Sequence, residues 1–336
     1  MSAPSDIQVS FVIPTRNERE HIGRAIDSIW QNVRGICFEI IVVDNGSSDE
    51  TVSVASGKGA RVLVHPSVTI SALRNLGAAE AGGEILVFVD ADVSLCPEWP
   101  IAFRKALHTL RKNPSIVTGS TYGLPENPSW VERCWYEPVL NRTRVNYING
   151  GHLIVARDVF WRVGGFDETL ETGEDYDFCQ RARKAGILLV NNQALKVIHH
   201  GYPKTLKGFF LREKWHGRGD FHSPAALFKS RPALAALGHM CLLLTVLSFF
   251  LLEKNVGWIL AYAGIMGAVC LAASVRRCGT FTRCIPTCTV LHWVYFAARG
   301  ASFFEVVAAA LRANRAGRER NSHENSGSHN VRITER

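Results

Sequence analysis

Residues 85–92 read Ile-Leu-Val-Phe-Val-Asp-Ala-Asp, an uninterrupted apolar run that ends in two carboxylates. A short, continuously apolar segment of this kind predicts a strand that is buried on both faces of a sheet. Because residues two apart in a strand point the same way, we expect Asp90 and Asp92 to project together. Two carboxylates placed in this way can jointly hold a hard divalent cation such as Mg²⁺ or Mn²⁺.

Three more apolar runs precede this strand and alternate with helical patterns. Strands are predicted over residues 9–13, 39–43 and 61–64, and helical spacing of apolar residues occurs over residues 18–30 and 71–81. Strands that alternate with helices predict a doubly wound, mostly parallel α/β sheet. In such sheets, ligands bind beyond the carboxyl ends of the strands.

Polar residues follow the predicted strands, so they would gather at that edge of the sheet. Pro14 is expected to end the first strand. The polar residues that come next are Thr15, Asn17, Glu18, Asp44 and Asp90. Their shared position predicts a nucleotide site. The same α/β pattern continues downstream, and we expect one cytosolic domain over residues 1–225.

The C-terminal third is far more apolar than the rest. Residues 256–275 carry no charge, and at 1.5 Å per residue such a helix is about 30 Å long, which is the thickness of a bilayer core. Residues 234–252 are similarly uncharged, so two membrane spans are expected. A third segment, 285–311, is interrupted by charges and either spans or lies in the membrane interface. Helices of a large soluble core are the less favoured alternative.

The formal net charge is +8, and many arginines border the apolar segments. Arg231, Arg276, Arg277 and Arg283 flank the two predicted spans, which by the positive-inside rule places both flanks in the cytosol. We therefore expect the inner (plasma) membrane, a catalytic domain on its cytoplasmic side, and contacts with membrane lipids. Residues 312–336 are predicted to be a disordered basic tail. No nucleic-acid-binding signature accompanies the charge.

Nine cysteines occur without regular spacing, which is typical of reduced thiols and not of a disulfide framework. Cys278, Cys284 and Cys288 lie near His292, but their spacing fits no common zinc site.

Six short motifs occur in the order found in inverting family 2 glycosyltransferases of the GT-A fold, and the chain resembles that family. They are Phe11-Val-Ile-Pro-Thr-Arg-Asn-Glu18, Val43-Asp-Asn-Gly-Ser-Ser-Asp-Glu-Thr51, Ala72-Leu-Arg-Asn75, Asp90-Ala-Asp92, Gly164-Gly-Phe-Asp-Glu168 and Gly173-Glu-Asp175. The resemblance implies a nucleotide-sugar donor carrying uridine or guanosine diphosphate. It also implies single displacement with inversion.

The resemblance also implies roles for matching residues on the donor side. Pro14, Thr15, Asn17 and Glu18 would line the base and ribose pocket. Asp44 would bind the base or ribose, Arg74 the nucleotide, Asp90 the ribose or metal, and Asp92 the metal. The family's common Asp-Asp pair is Asp44-Asn45 here, which leaves the base open.

Glu174 and Asp175 form a second acidic pair. An inverting transfer needs one base to take the proton of the acceptor hydroxyl. Adjacent residues on a helix cannot share one direction, so one catalytic group is expected. The family's pattern favours Asp175, with Glu174 on the acceptor. The alternative is an acidic helix start that only complements the helix dipole.

His199 and His200 follow a strand, and His200 is predicted to complete the metal or diphosphate site; a buried structural histidine is the alternative. Lys214-Trp-His-Gly-Arg218 loosely resembles the Gln-x-x-Arg-Trp motif of processive members. Leu211 and Lys214 depart from that motif, which argues against a processive polymerase. We assign Lys214 and Arg218 to a diphosphate or lipid phosphate, and Trp215 to a sugar or the membrane interface. A basic membrane-surface helix is the alternative.

Together these features predict a metal-dependent glycosyltransferase of the hexosyltransferase type. It would use a UDP- or GDP-sugar and a lipid-linked or glycan acceptor, in cell-surface polysaccharide or glycolipid synthesis. One alternative is a sugar nucleotidyltransferase, but no glycine-rich loop follows the first strand. A catalytically inactive membrane scaffold is the other, and the intact Asp90, Asp92 and Asp175 argue against it.

Overall fold

The computed structural model describes residues 7–140, 145–221, 227–228, 230–279 and 282–329. The chain forms two compact units. One comprises Met1–Thr205 with Val275–Cys288, and the other comprises Leu206–Ser274 with Thr289–Arg336. The short segment Val275–Cys288 therefore belongs to the unit that contains the predicted site.

A seven-stranded sheet forms the centre of the first unit, in the order β3-β2-β1-β4-β7-β6-β8. The pairs β1–β2, β1–β4, β2–β3 and β6–β8 are parallel, whereas β7 runs antiparallel to β4 and β6. The mostly parallel α/β sheet predicted from the sequence is thus confirmed. The strands are β1 (Val9–Thr15), β2 (Phe38–Asp44), β3 (Arg61–Val64), β4 (Ile85–Val89), β5 (Val93–Leu95), β6 (Ile116–Gly119), β7 (His152–Ala156), β8 (Leu188–Asn191) and β9 (Val197–His199).

Helices cover both faces of this sheet in sequence order, as an α/β architecture requires. They are α1 (Ile22–Asn32), α2 (Thr51–Gly57), α3 (Ile70–Ala79), α4 (Trp99–Lys112), α5 (Trp130–Trp135), α6 (Glu137–Leu140), α7 (Arg157–Arg162) and α8 (Glu174–Lys184). The apolar positions of α1 recur at helical spacing, and Ile22, Ala25, Ile26 and Ile29 are all buried. Continuous apolar runs form β1 and β4 because both strands are buried on both faces.

The first strand is longer than expected, because β1 continues through Pro14 to Thr15. Its pairing with β4 ends at Val12 and Phe88, whereas its pairing with β2 continues to Thr15 and Asp44. Pro14 thus lies beyond the β4 ladder, where a missing N–H costs no ladder bond to that strand.

The second unit contains α9 (Leu206–Phe221), α10 (Arg231–Glu253), α11 (Gly257–Cys278, whose last turn belongs to the first unit) and α12 (Ile285–His329). By length and composition, α10 and α11 are each able to cross a membrane. Met266, Cys270 and Phe296 form the buried core shared by α11 and α12. The helix α12 continues beyond residue 311 to His329, into the segment predicted as a disordered tail.

The charges that interrupt the third apolar segment are paired with α9. Arg299 binds Glu213 at 3.0 Å and Asp220 at 2.6 Å. Glu305 binds Lys214 at 2.6 Å and Arg218 at 3.1 Å. Buried charges persist in proteins when they are paired in this way.

Candidate active site

The Asp90-Ala91-Asp92 segment lies in a turn and not along a strand. β4 ends at Val89, and the Val93 N–H donates to the Asp90 carbonyl at 3.0 Å, which closes the turn before β5. The prediction that both carboxylates project together from one strand is therefore wrong. The turn lets them diverge, so that Asp90 contacts Arg74 and Asp92 lies beside His199.

Arg74, on α3, joins the two acidic motifs of the site. Its side chain is 2% exposed. Its Nη2 donates to Asp90 Oδ1 at 2.7 Å and its Nη1 donates to Glu174 Oε1 at 2.6 Å. The sequence predicted that Arg74 contacts the nucleotide and Glu174 the acceptor, but here they are paired with each other. Charge-assisted bonds of this length, out of water, fix both carboxylates in position.

Asp175 points elsewhere, as expected for the residue after Glu174 on a helix. α8 begins at Glu174, after Gly173 in the left-handed region with φ of 81°. Asp175 Oδ2 accepts from the Gly150 N–H at 3.0 Å, and its Oδ1 accepts from the Tyr176 N–H at 2.7 Å. Burial, and then the charge of Glu174, raise the pKa of the Asp175 carboxyl to about 7. A carboxyl with this pKa exchanges protons near neutral pH.

Two glycines that the sequence did not single out shape the space between these groups. A Cβ on Gly151 would collide with the Asp90 carboxylate and lie 2.5 Å from the Tyr122 hydroxyl. A Cβ on Gly150 would lie 3.0 Å from the Arg74 guanidinium carbon. The signal in the sequence is the Gly-Gly pair directly before strand β7, which marks a close approach of the backbone.

Hydrogen bonds tie together the loops that follow β1 and β2. The Asn17 N–H donates to Ser47 Oγ at 2.8 Å, and the Ser48 N–H donates to Asn17 Oδ1 at 2.8 Å. Asn17 has a φ of 55°, a conformation that asparagine tolerates better than most residues. The Glu18 N–H donates to Thr51 Oγ1 at 2.8 Å. These bonds join the loop after β1 to the loop after β2 in one edge of the first unit.

Asp44 is fully buried within this edge. It accepts from the Ser47 N–H at 2.8 Å and from the Ser47 hydroxyl, so here it shapes the loop. Pro14 is buried in β1, and the neighbouring Thr15 Oγ1 is buried with no hydrogen-bond partner among the described residues. Burial, and then the charge of Asp92, raise the pKa of Glu18, which places Glu18 in the field of the acidic turn.

Both histidines lie beside Asp92: the His200 N–H donates to the Asp92 carbonyl at 2.8 Å, whereas the ring closest to the Asp92 carboxylate is that of His199. His199 Nε2 lies 3.5 Å from Asp92 Oδ2. The ring of His200 instead contacts Arg24 Nη1 at 3.0 Å and Ser94 Oγ at 2.8 Å. The pairing of β9 with β5 explains this, because it places His199 opposite Val93, the residue after Asp92.

Lys214, Trp215 and Arg218 lie in the second unit, on α9. Lys214 and Arg218 share Glu305 as their ion-pair partner, and Trp215 is exposed. Their assignment to a diphosphate, a lipid phosphate or a sugar stays a prediction.

Asp92 is the carboxylate best suited to a divalent cation. Asp90 is held by Arg74, and no group of three or more His, Cys, Asp or Glu side chains among the described residues could hold a metal alone. Mg²⁺ is commonly bound by one or two carboxylates together with phosphate oxygens and water, so a single anchoring carboxylate fits that ion. A Cβ on residue 201 would overlap the Asp92 carboxylate, so only a glycine, Gly201, leaves room for that carboxylate.

Comparison with known proteins finds similarity to glycosyltransferases. The sequence model of Glycosyl transferase family 2 matches residues 10–164. The pre-mycofactocin glycosyltransferase of Mycobacterium tuberculosis is 30% identical over 233 residues, covering 64% of this chain and 47% of that protein. The glycosyltransferase AglE of Haloferax volcanii is 29% identical over 196 residues, covering 54% of this chain and 63% of that protein. The chain thus spans about half the length of the mycobacterial relative.

Among solved structures, the mannosyltransferase PcManGT of Pyrobaculum calidifontis, in complex with GDP-Man and Mn²⁺, aligns with a TM-score of 0.55. The two proteins are 17% identical, and the alignment covers 88% of this chain and 87% of that one. This likeness shows a shared fold. The family match is confined to residues 10–164, and this part of the chain is similar to glycosyl transferase family 2.

Proposed function

We propose that the chain is an inverting glycosyltransferase of the hexosyltransferase type, which moves a sugar from a nucleotide-sugar to an acceptor hydroxyl. One observation carries this proposal. Arg74 binds both Asp90 and Glu174, and Asp175 beside them is a half-buried carboxyl whose pKa is raised to about 7. In this proposal Asp90 is the carboxylate of the donor side, Glu174 is the carboxylate of the acceptor side, and Asp175 beside them is a base suited to neutral pH.

In this proposal Asp175 is the general base. Its carboxylate takes the proton of the acceptor hydroxyl, the hydroxyl oxygen forms a bond to the anomeric carbon, and the bond from that carbon to the nucleoside diphosphate breaks. The diphosphate leaves with the electron pair of that bond. A divalent cation held at Asp92 would supply positive charge to offset the charge that develops on the departing diphosphate.

The nucleotide is proposed to bind at the edge formed by the loops that follow β1 and β2. Asn17, Ser47 and Ser48 are locked together there, and Thr15 Oγ1 has no partner among the described residues. The structural neighbour from Pyrobaculum calidifontis was solved in complex with GDP-Man and Mn²⁺, so GDP- and UDP-sugars with Mn²⁺ or Mg²⁺ are the first donors to test.

The acceptor is proposed to be lipid-linked or a membrane-associated glycan. Two helices, α10 and α11, are long and apolar enough to cross a membrane, and arginines flank them. Attachment of this kind would keep the site on the cytoplasmic side of the inner membrane and close to lipid-borne substrates. The pathway would then be cell-surface polysaccharide or glycolipid synthesis.

A panel of nucleotide-sugars tests this proposal with the full chain in detergent or nanodiscs. A bound donor raises the unfolding temperature with the logarithm of its concentration. D175N should keep donor affinity within about twofold and lose transfer by at least about a hundredfold, the size of a general-base contribution. The matched control is D158N, since Asp158 is a surface carboxylate paired with Arg162. Transfer by D175N at the rate of D158N would refute the choice of base.

A further inference from the structure

Two adjacent arginines at the end of α11 have different surroundings. Arg276 is exposed, as expected of a residue that faces lipid head groups. Arg277 donates from Nε and Nη2 to the Trp135 carbonyl, at 2.9 and 2.7 Å, and its guanidinium lies 3.8 Å from the centre of the Trp135 ring. The sequence placed both arginines in one membrane flank, but the structure gives Arg277 a contact within the first unit.

The carbonyls at the end of α5 are the groups that receive these contacts. The last carbonyls of a helix have no partner within the helix, and a cation near them is favourable. The Cys288 thiol donates to the Cys134 carbonyl at 2.7 Å, next to the Trp135 carbonyl that Arg277 binds. Cys284 contacts Cys134 through sulfur at 2.9 Å. The segment Val275–Cys288 therefore holds the final turn of α5 at two consecutive residues.

Directly after this turn, a stack of rings leads to the acidic turn of the site. Tyr136 stacks on Tyr202 with ring centres 3.9 Å apart, and Tyr202 stacks on His199 at 4.1 Å. His199 Nε2 lies 3.5 Å from Asp92 Oδ2. All three rings are buried. Because close-packed buried rings cannot shift one at a time, the position of Tyr136 constrains the position of His199.

We propose that Arg277 is a positioning residue: by fixing the last turn of α5, it holds the Tyr136–Tyr202–His199 stack so that His199 stays against Asp92. The inference rests on the proposed function in that Asp92 is taken as the metal-binding carboxylate. It deepens that function, because a residue that follows an apolar helix becomes part of the site. A chain cut at residue 225 would lack this arginine and the thiols beside it.

The test compares R277M with R276M in the full chain, with R277K as a second variant that keeps the charge but not the two-pronged donor geometry. The first readout is the rate at which diethyl pyrocarbonate modifies His199, followed by peptide mass spectrometry. The second is the Mn²⁺ concentration at which a nucleotide-sugar gives half of its full thermal stabilisation. Neither readout requires turnover.

R277M should raise the modification rate of His199 and the half-saturating Mn²⁺ concentration by about tenfold each, since coupling through packed side chains typically reaches that size. R277K should fall between R277M and the wild type, and R276M should stay within about twofold of the wild type. Equal values for R277M and R276M in both readouts would overturn the inference. If the wild type binds no nucleotide-sugar, the proposed function fails, whereas the His199 modification rate still tests the positioning role.

Discussion

Replacing Arg74 with methionine removes the one cation that joins the two acidic motifs. R74M leaves Glu174, with a side chain 9% exposed, and Asp90, 25% exposed, without their partner. Removing one member of a buried ion pair lowers the free energy of unfolding by about 3 to 5 kcal/mol. Because Asp90 is partly exposed, we expect R74M to lose about 3 kcal/mol. For a unit of this size that loss lowers the unfolding temperature by about 6 to 12 °C.

Most of this loss of stability comes from the carboxylates that R74M leaves unpaired, so a second substitution that neutralises one of them should recover part of it. R74M/E174Q removes the more deeply buried of the two uncompensated carboxylates, and it should be more stable than R74M by about 1 kcal/mol or more. The surface pair Arg162–Asp158 gives the matched control, and R162M should change stability by less than about 1 kcal/mol. Thermal unfolding followed by tryptophan fluorescence compares the wild type, R74M, E174Q, R74M/E174Q and R162M. Additive effects of R74M and E174Q, or an R74M no less stable than R162M, would refute the assigned role.

Three other outcomes follow from the same geometry. Transfer should rise with pH through about 7, because the Asp175 carboxyl must lose its proton to act as a base, and a pH–rate profile that is flat from pH 5 to 8 would contradict this. Because the folded state raises the pKa of Asp175, its contribution to the free energy of unfolding is greatest below the pKa of the unfolded chain and is lost as the pH rises towards 7. In D175N the free energy of unfolding should therefore fall less over this pH range than in the wild type. G151A should greatly reduce transfer, because its methyl group would displace the Asp90 carboxylate; G57A, where a Cβ meets no atom within 4 Å, should keep wild-type transfer rates. Equal rates for G151A and G57A would show that Asp90 need not stay in place.

Continuous apolar runs made the central strands predictable from the sequence. β1 and β4 are buried along their whole length and β2 from Ile40 onward, so their sequences are the continuous apolar runs that are typical of central strands. β5 has only three residues and gives no such pattern. Because β5 was not predicted, Asp90 and Asp92 were placed along one strand. In the structure both residues lie in the turn that joins β4 to β5.

The contacts among the predicted site residues could not be read from the sequence. Arg74 and Glu174 are far apart in the chain, and only the folded sheet brings them to 2.6 Å. The closeness of the His199 ring to Asp92 depends on the register of β9 against β5, which places His199 opposite Val93 and has no signal in the sequence. The contact of Arg277 with Trp135 likewise has no local signal, since an arginine after an apolar helix has the same sequence pattern when it faces lipid.

The dependence of transfer on a divalent cation at Asp92 tests the account most directly. The full chain is assayed with its best nucleotide-sugar after chelation, and again with Mn²⁺ restored, for the wild type, D92N and the surface control D158N. We expect the wild type and D158N to lose transfer in chelator and to regain it with Mn²⁺, whereas D92N should not regain it. Transfer by the wild type at an undiminished rate in chelator, or recovery of D92N at the Mn²⁺ concentration that suffices for D158N, would contradict it.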